Sequence, residues 1–166
     1  WIALMNKQMN KCIVLITLFA LLAGCGSGAS AYVPDNFTME DEVYGEANSQ
    51  STVYRAAGYS VPDAAEAVAA KLKPREMSEK NDEHMFLLYD NALVHVMQDS
   101  NNPSDALVEV SDKEFVRRHY SPSFLQTYLM FRLVDDLFDM RKTTYGGGTY
   151  GGYIGKNGEY AKNKSG

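Results

Sequence analysis

The run MFLLYDNALVHVMQD, residues 85–99, constrains the fold of this 166-residue chain more than any other stretch. Two strand-forming segments, Met85–Tyr89 and Ala92–Gln98, are separated only by Asp90 and Asn91. So short a connection leaves no room for a crossover, and the two strands must pair antiparallel. Asp and Asn both tolerate positive φ, so a type I′ turn is expected at Asp90-Asn91. The cluster NNPSD, residues 101–105, reads as a second turn and Ala106–Val110 as a third meander strand. Thr52–Tyr59 is a weaker strand upstream.

Helices surround this meander. Ser60 can cap a helix, with Asp63 three places on and Pro62 in its first turn. Alanines and Val68 carry it to about Lys73, where Pro74 stops it. Ser111 and Glu114 stand at capping-box spacing ahead of FVRRHY, and Ser121-Pro122 restarts the chain into a last helix from about Ser123 to Arg141. Leu129, Leu133, Val134, Leu137 and Phe138 share one broad face of that last helix. Phe124, Leu125 and Tyr128 fall on its polar side, so its first turn must pack on a different neighbour. The expectation is an α+β domain. It has a small antiparallel sheet of about four strands, one helix after the first strand and two C-terminal helices, all packed on one face.

The start of the chain reads as a processed leader. Lys7 and Lys11 precede the apolar stretch Cys12–Leu22, and Met5 or Met9 is the more natural start. An apolar stretch of eleven residues is too short to span a bilayer, which takes roughly 20. Leu22, Ala23 and Gly24 then lead into Cys25. This sequence resembles the lipobox of bacterial lipoproteins. The resemblance implies that the signal peptidase recognises Leu22, Ala23 and Gly24, and that Cys25 receives diacylglycerol and becomes the first mature residue. The expected location is the extracytoplasmic face of the cell membrane, lipid-anchored. With Cys12 removed, a disulfide within one mature chain is excluded.

The expected organisation is therefore a signal peptide over 1–24, a lipidated cysteine with a flexible tether over 25–50, a globular domain over 51–142 and a Gly/Tyr-rich basic tail over 143–166, read as disordered. Loss of Lys7 and Lys11 moves the net charge from −5 to −7. From Arg141 onward five basic residues face Glu159 alone, so the tail opposes an acidic body. That balance argues against nucleic-acid binding.

Local motifs for catalysis are missing. His84, His95 and His119 show no H-x-x-x-H or H-E-x-x-H spacing, and Ser121 and Ser123 lack a G-x-S-x-G setting. GGGTYGG in the tail lacks the Lys-Ser/Thr of a phosphate loop. Asp135, Asp136 and Asp139 lack EF-hand spacing and read as a solvated helix face. No metal, cofactor or catalytic residue is expected.

Three segments, STVYRAAGYSVPDAAEAVA, NDEHMFLLYDNALVHVMQD and VEVSDKEFVRRHYSPSFLQTYL, resemble a family of small lipoproteins of Gram-positive bacteria, the domain of unknown function number 4247. The resemblance runs from about Ser51 to Leu129. It implies a location and a source type and carries no activity. The expected function is a membrane-anchored binding or interaction module of the envelope. Its expected partners are the membrane itself, through Cys25, and an envelope protein or an anionic wall polymer, with the Gly/Tyr tail and the last helix as candidate contacts. The alternative is an envelope enzyme whose site is formed only in three dimensions.

Overall fold

In the computed structural model, which describes residues 28–140, 148–153 and 160–162, the meander forms the centre of a larger sheet. Its strands are β1 (Thr38–Tyr44), β2 (Gln50–Ala56), β3 (Glu76–Met77), β4 (His84–Leu88), β5 (Ala92–Gln98) and β6 (Ala106–Asp112). They lie in the order β1-β2-β6-β5-β4-β3, every pairing antiparallel. The helices among the described residues are α1 (Val61–Lys71), α2 (Lys113–His119), α3 (Pro122–Gln126) and α4 (Phe131–Phe138). A separate hairpin pairs β7 (Tyr150–Tyr153) with β8 (Tyr160–Lys162). Among the described residues no helix is long and apolar enough to cross a membrane.

The sheet is covered on both faces, not on one. Met85 and Leu87 point to one side of β4, Phe86 and Leu88 to the other, and all four are buried. A strand that reads as an unbroken apolar run is one that both faces must cover. Val61, Ala64, Ala65 and Val68 of α1 pack on the first face with Val33 and Phe37. Phe115, Val116, Tyr120, Leu125, Val134 and Phe138 of the C-terminal helical region pack on the second. Ser60 caps α1 as expected: its Oγ accepts the Asp63 N–H at 3.2 Å.

Several expectations are corrected. The sheet has six strands, because Glu76–Met77 pair along β4 as one edge strand and residues 38–44, assigned to the tether, pair along β2 as the other. Val33 and Phe37 of the same stretch are buried in the core. The consecutive acids Glu40, Asp41 and Glu42 hid this strand, yet acids on an edge suit a strand that must not pair further. The β4–β5 turn is not type I′. Among the described residues, positive φ outside glycine falls instead at Ala47 and Asn48 in the β1–β2 connection, and at Asp139. Arg75 clamps Asp90 of the β4–β5 turn from outside, with Nε at 2.7 Å and a second nitrogen at 3.0 Å.

Asp112, not Ser111, caps α2, since its Oδ1 accepts the Phe115 N–H at 2.7 Å. Ser111 stays in β6 with its side chain buried. The long last helix breaks into α3 and α4. Met130 turns extended (φ −67°, ψ 100°), and its N–H is satisfied by Glu76 Oε1 at 2.8 Å. The break lets Phe124 and Tyr128 pack on Phe86 while Val134 and Phe138 fill the core beyond, as their opposite faces require.

The C-terminal segment also departs from expectation. Tyr150 and Tyr153 are buried against the second face. Glycine makes this approach possible: a Cβ at Gly152 would lie 2.5 Å from His95 Cε1, and one at Gly148 would lie 2.0 Å from the His119 carbonyl oxygen. The signal-peptide region and the lipobox residues Leu22, Ala23, Gly24 and Cys25 lie outside the described residues.

Candidate functional site

Strand register draws a row across the second face: Phe86 on β4, His95 on β5, Glu109 on β6, Val53 on β2 and Asp41 on β1. His95 and Glu109 are direct partners in that row and both are fully buried. The two strands read alike, ALVHV at 92–96 and ALVEV at 106–110, but it is the register, pairing Val94 with Val110, that sets the two polar residues opposite each other.

The Glu109 carboxylate accepts four hydrogen bonds. Ser51 Oγ donates to Oε1 at 2.7 Å, and the Tyr150 hydroxyl donates to the same oxygen. The Tyr153 backbone N–H donates to Oε2 at 3.0 Å, and the Tyr120 hydroxyl reaches Oε2 at 3.4 Å. Burial nevertheless pushes the Glu109 carboxyl above the usual carboxylate range, outweighing these bonds. Burial, and then the Glu109 charge, raise the Tyr120 hydroxyl far above its ordinary value, which keeps it protonated.

His95 continues the line. Its Nδ1 lies 4.0 Å from Glu109 Oε2 and 3.5 Å from the Tyr120 hydroxyl. Its Nε2 lies 2.9 Å from Nδ1 of His84. Phe86 stacks on the His95 ring at 4.2 Å. Burial, with the neighbouring His84, holds His95 well below 6.5, and burial lowers His84 as well. An N–H···N bond between them needs one ring to donate its N–H and the other to accept through a bare nitrogen, so at least the accepting ring is neutral.

His84 connects this buried line to a cleft of about 360 Å³. Met97, Leu107 and Tyr153 supply its apolar and aromatic wall, and Glu40, Arg55, Gln98, Asp99 and Asn101 its polar wall. A bulge between Met39 and Asp41 places Glu40 on Arg55, whose Nε donates to Oε1 at 2.6 Å. The same guanidinium donates to Asp99 at 2.7 Å and Asp105 at 3.0 Å. Burial works against the Asp99 charge, but Arg55 and the Asn101 N–H hold its carboxyl below the usual range. The Gly58 N–H and Arg55 do the same for Asp105. Asp105 holds Arg55 from outside the cleft, and Glu40 and Asp99, the two carboxylates that line it beside that one guanidinium, leave its mouth acidic.

Of the three histidines, the fold brings His84 and His95 together and keeps His119 apart. His119 stacks on Phe115 at 4.5 Å, and its Nδ1 lies 3.0 Å from the Phe115 carbonyl oxygen. Asp139 ends α4 in a left-handed cap. Among the described residues no three His, Cys, Asp or Glu side chains gather as a metal ion would need. Glu109, Tyr120 and Arg55 were not anticipated from the sequence, and Tyr150 and Tyr153 were expected only as contact residues of a Gly/Tyr tail, not as donors to a buried carboxylate. One signal for Glu109 was available: a carboxylate in mid-strand between valines is buried only when paired.

A family model described as Domain of unknown function (DUF4247) matches residues 18–166. That range extends well past the segments that carry the resemblance in the sequence, and it takes in Cys25, β1 and β7. No curated protein and no solved structure matches the chain. The chain belongs to the DUF4247 family.

Proposed function

We propose that this protein is a binding module of the cell envelope, held at the extracytoplasmic face of the membrane by diacylglycerol on Cys25, with the His84 cleft as its ligand site. The Leu22-Ala23-Gly24-Cys25 sequence supports the anchor. One observation carries the binding role: a cleft whose acidic mouth, built from Glu40 and Asp99 on either side of Arg55, stands over an apolar wall of Met97, Leu107 and Tyr153. Such a site suits a ligand with an ammonium group on a short apolar body. It repels anions, so an anionic wall polymer would have to bind elsewhere. The apolar face of the last helix is a poor candidate for docking, because Val134 and Phe138 are buried in the core.

A short lysine-containing peptide titrated into isotope-labelled protein tests this. Amide shifts should concentrate at Gln98, Asn101 and Tyr153, and Glu40→Gln should weaken them. Shifts scattered over the surface, or none, would remove the cleft as the binding site. Intact-mass analysis of the membrane form tests the anchor, and Cys25→Ser should abolish the added lipid mass.

The Glu109–His95–His84 line favours a second reading, an enzyme in which His84 exchanges a proton with a substrate in the cleft. His95 and Glu109 would then position its ring and select its tautomer. Under that reading His84→Gln abolishes turnover and spares peptide binding.

A further inference from the structure

We propose that the end of the sheet carrying Gly28 rests on the lipid headgroups, and that the cleft opens at the opposite end, away from the membrane. The inference rests on the reading of Cys25 as a lipid anchor.

Gly28 is already part of the folded domain. Its carbonyl accepts the Ala31 N–H at 3.0 Å. Gly28 and Ala29 border one open hollow together with Gln50, Asn91, Ala92 and Asp112. These residues are the start of β2, the β4–β5 turn, the start of β5 and the end of β6. Only three residues of chain lead from Cys25 to Gly28, a reach of at most about 11 Å when fully extended. A lipidated Cys25 sits at the headgroups, so this end of the sheet is held within that distance of them. The long tether expected from the sequence would have let the domain tumble freely. The folded structure removes most of its length.

The other ends of the same strands border the cleft. His84 opens β4, Gln98 closes β5, and Leu107 stands near the start of β6. Seven-residue strands such as β5 and β6 hold their two ends roughly 20 Å apart. An 11 Å leash cannot turn that distance over, so the cleft faces outward. Two exposed apolar side chains stand at the anchored end. Tyr44, 68% exposed, pairs with Gln50 across β1 and β2. Leu72, 43% exposed, lends its carbonyl to the Tyr89 hydroxyl beside the β4–β5 turn. Tyrosine is favoured at membrane–water interfaces, where its ring sits at headgroup level.

Strand β1 supplies matched probes. Met39, 57% exposed, lies at its cleft end, and Tyr44 lies at its anchored end. The only tryptophan in the sequence is Trp1, upstream of the expected cleavage, so Tyr44→Trp or Met39→Trp adds a single fluorophore to the mature chain. Each lipidated variant is placed in phosphatidylglycerol–phosphatidylcholine vesicles containing a lipid with a nitroxide on its headgroup. Quenching should be several-fold stronger for Tyr44→Trp than for Met39→Trp. Equal or reversed quenching, in protein whose intact mass carries diacylglycerol, would overturn the orientation and leave the anchor standing. A mature mass without lipid would overturn both.

Discussion

Substituting Gly152 by alanine should cost far more than the loss of a glycine in a Gly/Tyr-rich segment suggests. Gly152 lies in β7 at φ +115°, and a Cβ there would stand 2.5 Å from His95 Cε1 and 2.8 Å from Nδ1. The His95 ring has nowhere to go. It is fully buried, stacked on Phe86 and bonded to His84 at 2.9 Å. Backbone strain at such a φ contributes about 1–3 kcal/mol, and forcing a methyl into a filled site about 1–3 kcal/mol more. The alternative, β7 lifting away, strips Glu109 of its bonds from Tyr150 and Tyr153 and leaves a buried carboxylate short of partners. Gly58→Ala is the control, because Gly58 also has positive φ (+74°) but open space around its Cβ position. It should cost only the conformational share, about 1–2 kcal/mol. Urea unfolding followed by circular dichroism reads both variants, with an unchanged m value marking a change of stability alone. The expected gap is about 1–3 kcal/mol in disfavour of Gly152→Ala. If the two variants unfold at the same midpoint, β7 is not docked on His95 and the site lacks its cover.

Tyr150→Phe keeps the ring packing on Phe115 and Tyr120 but removes one donor to a charged acceptor, and should cost about 1.5–3 kcal/mol in the same assay; a melt matching the parent would place the Tyr150 hydroxyl elsewhere. The imidazole protons of His84 and His95, followed by NMR, should titrate below 6.5, and a midpoint at or above that value would refute their burial. Because both pKa values are lowered on folding, their share of stability is present above pH 6.5 and is lost as pH falls through the folded values. Glu109 acts the other way: its raised pKa gives a share that is full below 4.5 and lost as pH rises through its folded value, so it partly offsets the acid loss.

Local chemistry made much of the fold legible. The two-residue gap at Asp90-Asn91 dictated an antiparallel hairpin whatever the turn type, because nothing longer can fit. Ser60 and Ser121 marked helix starts, as capping depends on residues within one turn. The misfit of Phe124 and Tyr128 with the last helix's apolar face anticipated that its first turn packs separately. Residues 38–44 were missed because an acidic edge strand looks like a solvated tether until a partner strand stands beside it.

The candidate site was legible only in fragments. His84 and His95 drew notice as histidines, but nothing local says that His95 faces Glu109, which is a consequence of register between β5 and β6. Tyr150 and Gly152 come to the same point from a segment whose composition resembles disorder. Composition counts the apolar residues of a segment, and this segment has few. It does not register that glycine admits a backbone against a filled core, or that a tyrosine hydroxyl answers a buried carboxylate already waiting there.

The sequence alone determined the antiparallel meander, the starts of α1 and α3 and the acidic body with its basic end, since each follows from neighbours within a few residues or from simple counting. Tertiary structure alone decided which face each strand shows to which helix, the line from Glu109 through His95 to His84, and the closure of that line by Tyr150–Tyr153. Those features join residues far apart in the chain, 44 positions in the Tyr153–Glu109 bond and 58 in the Ser51–Glu109 bond. Burial then sets their protonation by excluding water, a condition that no short stretch of chain can impose on itself.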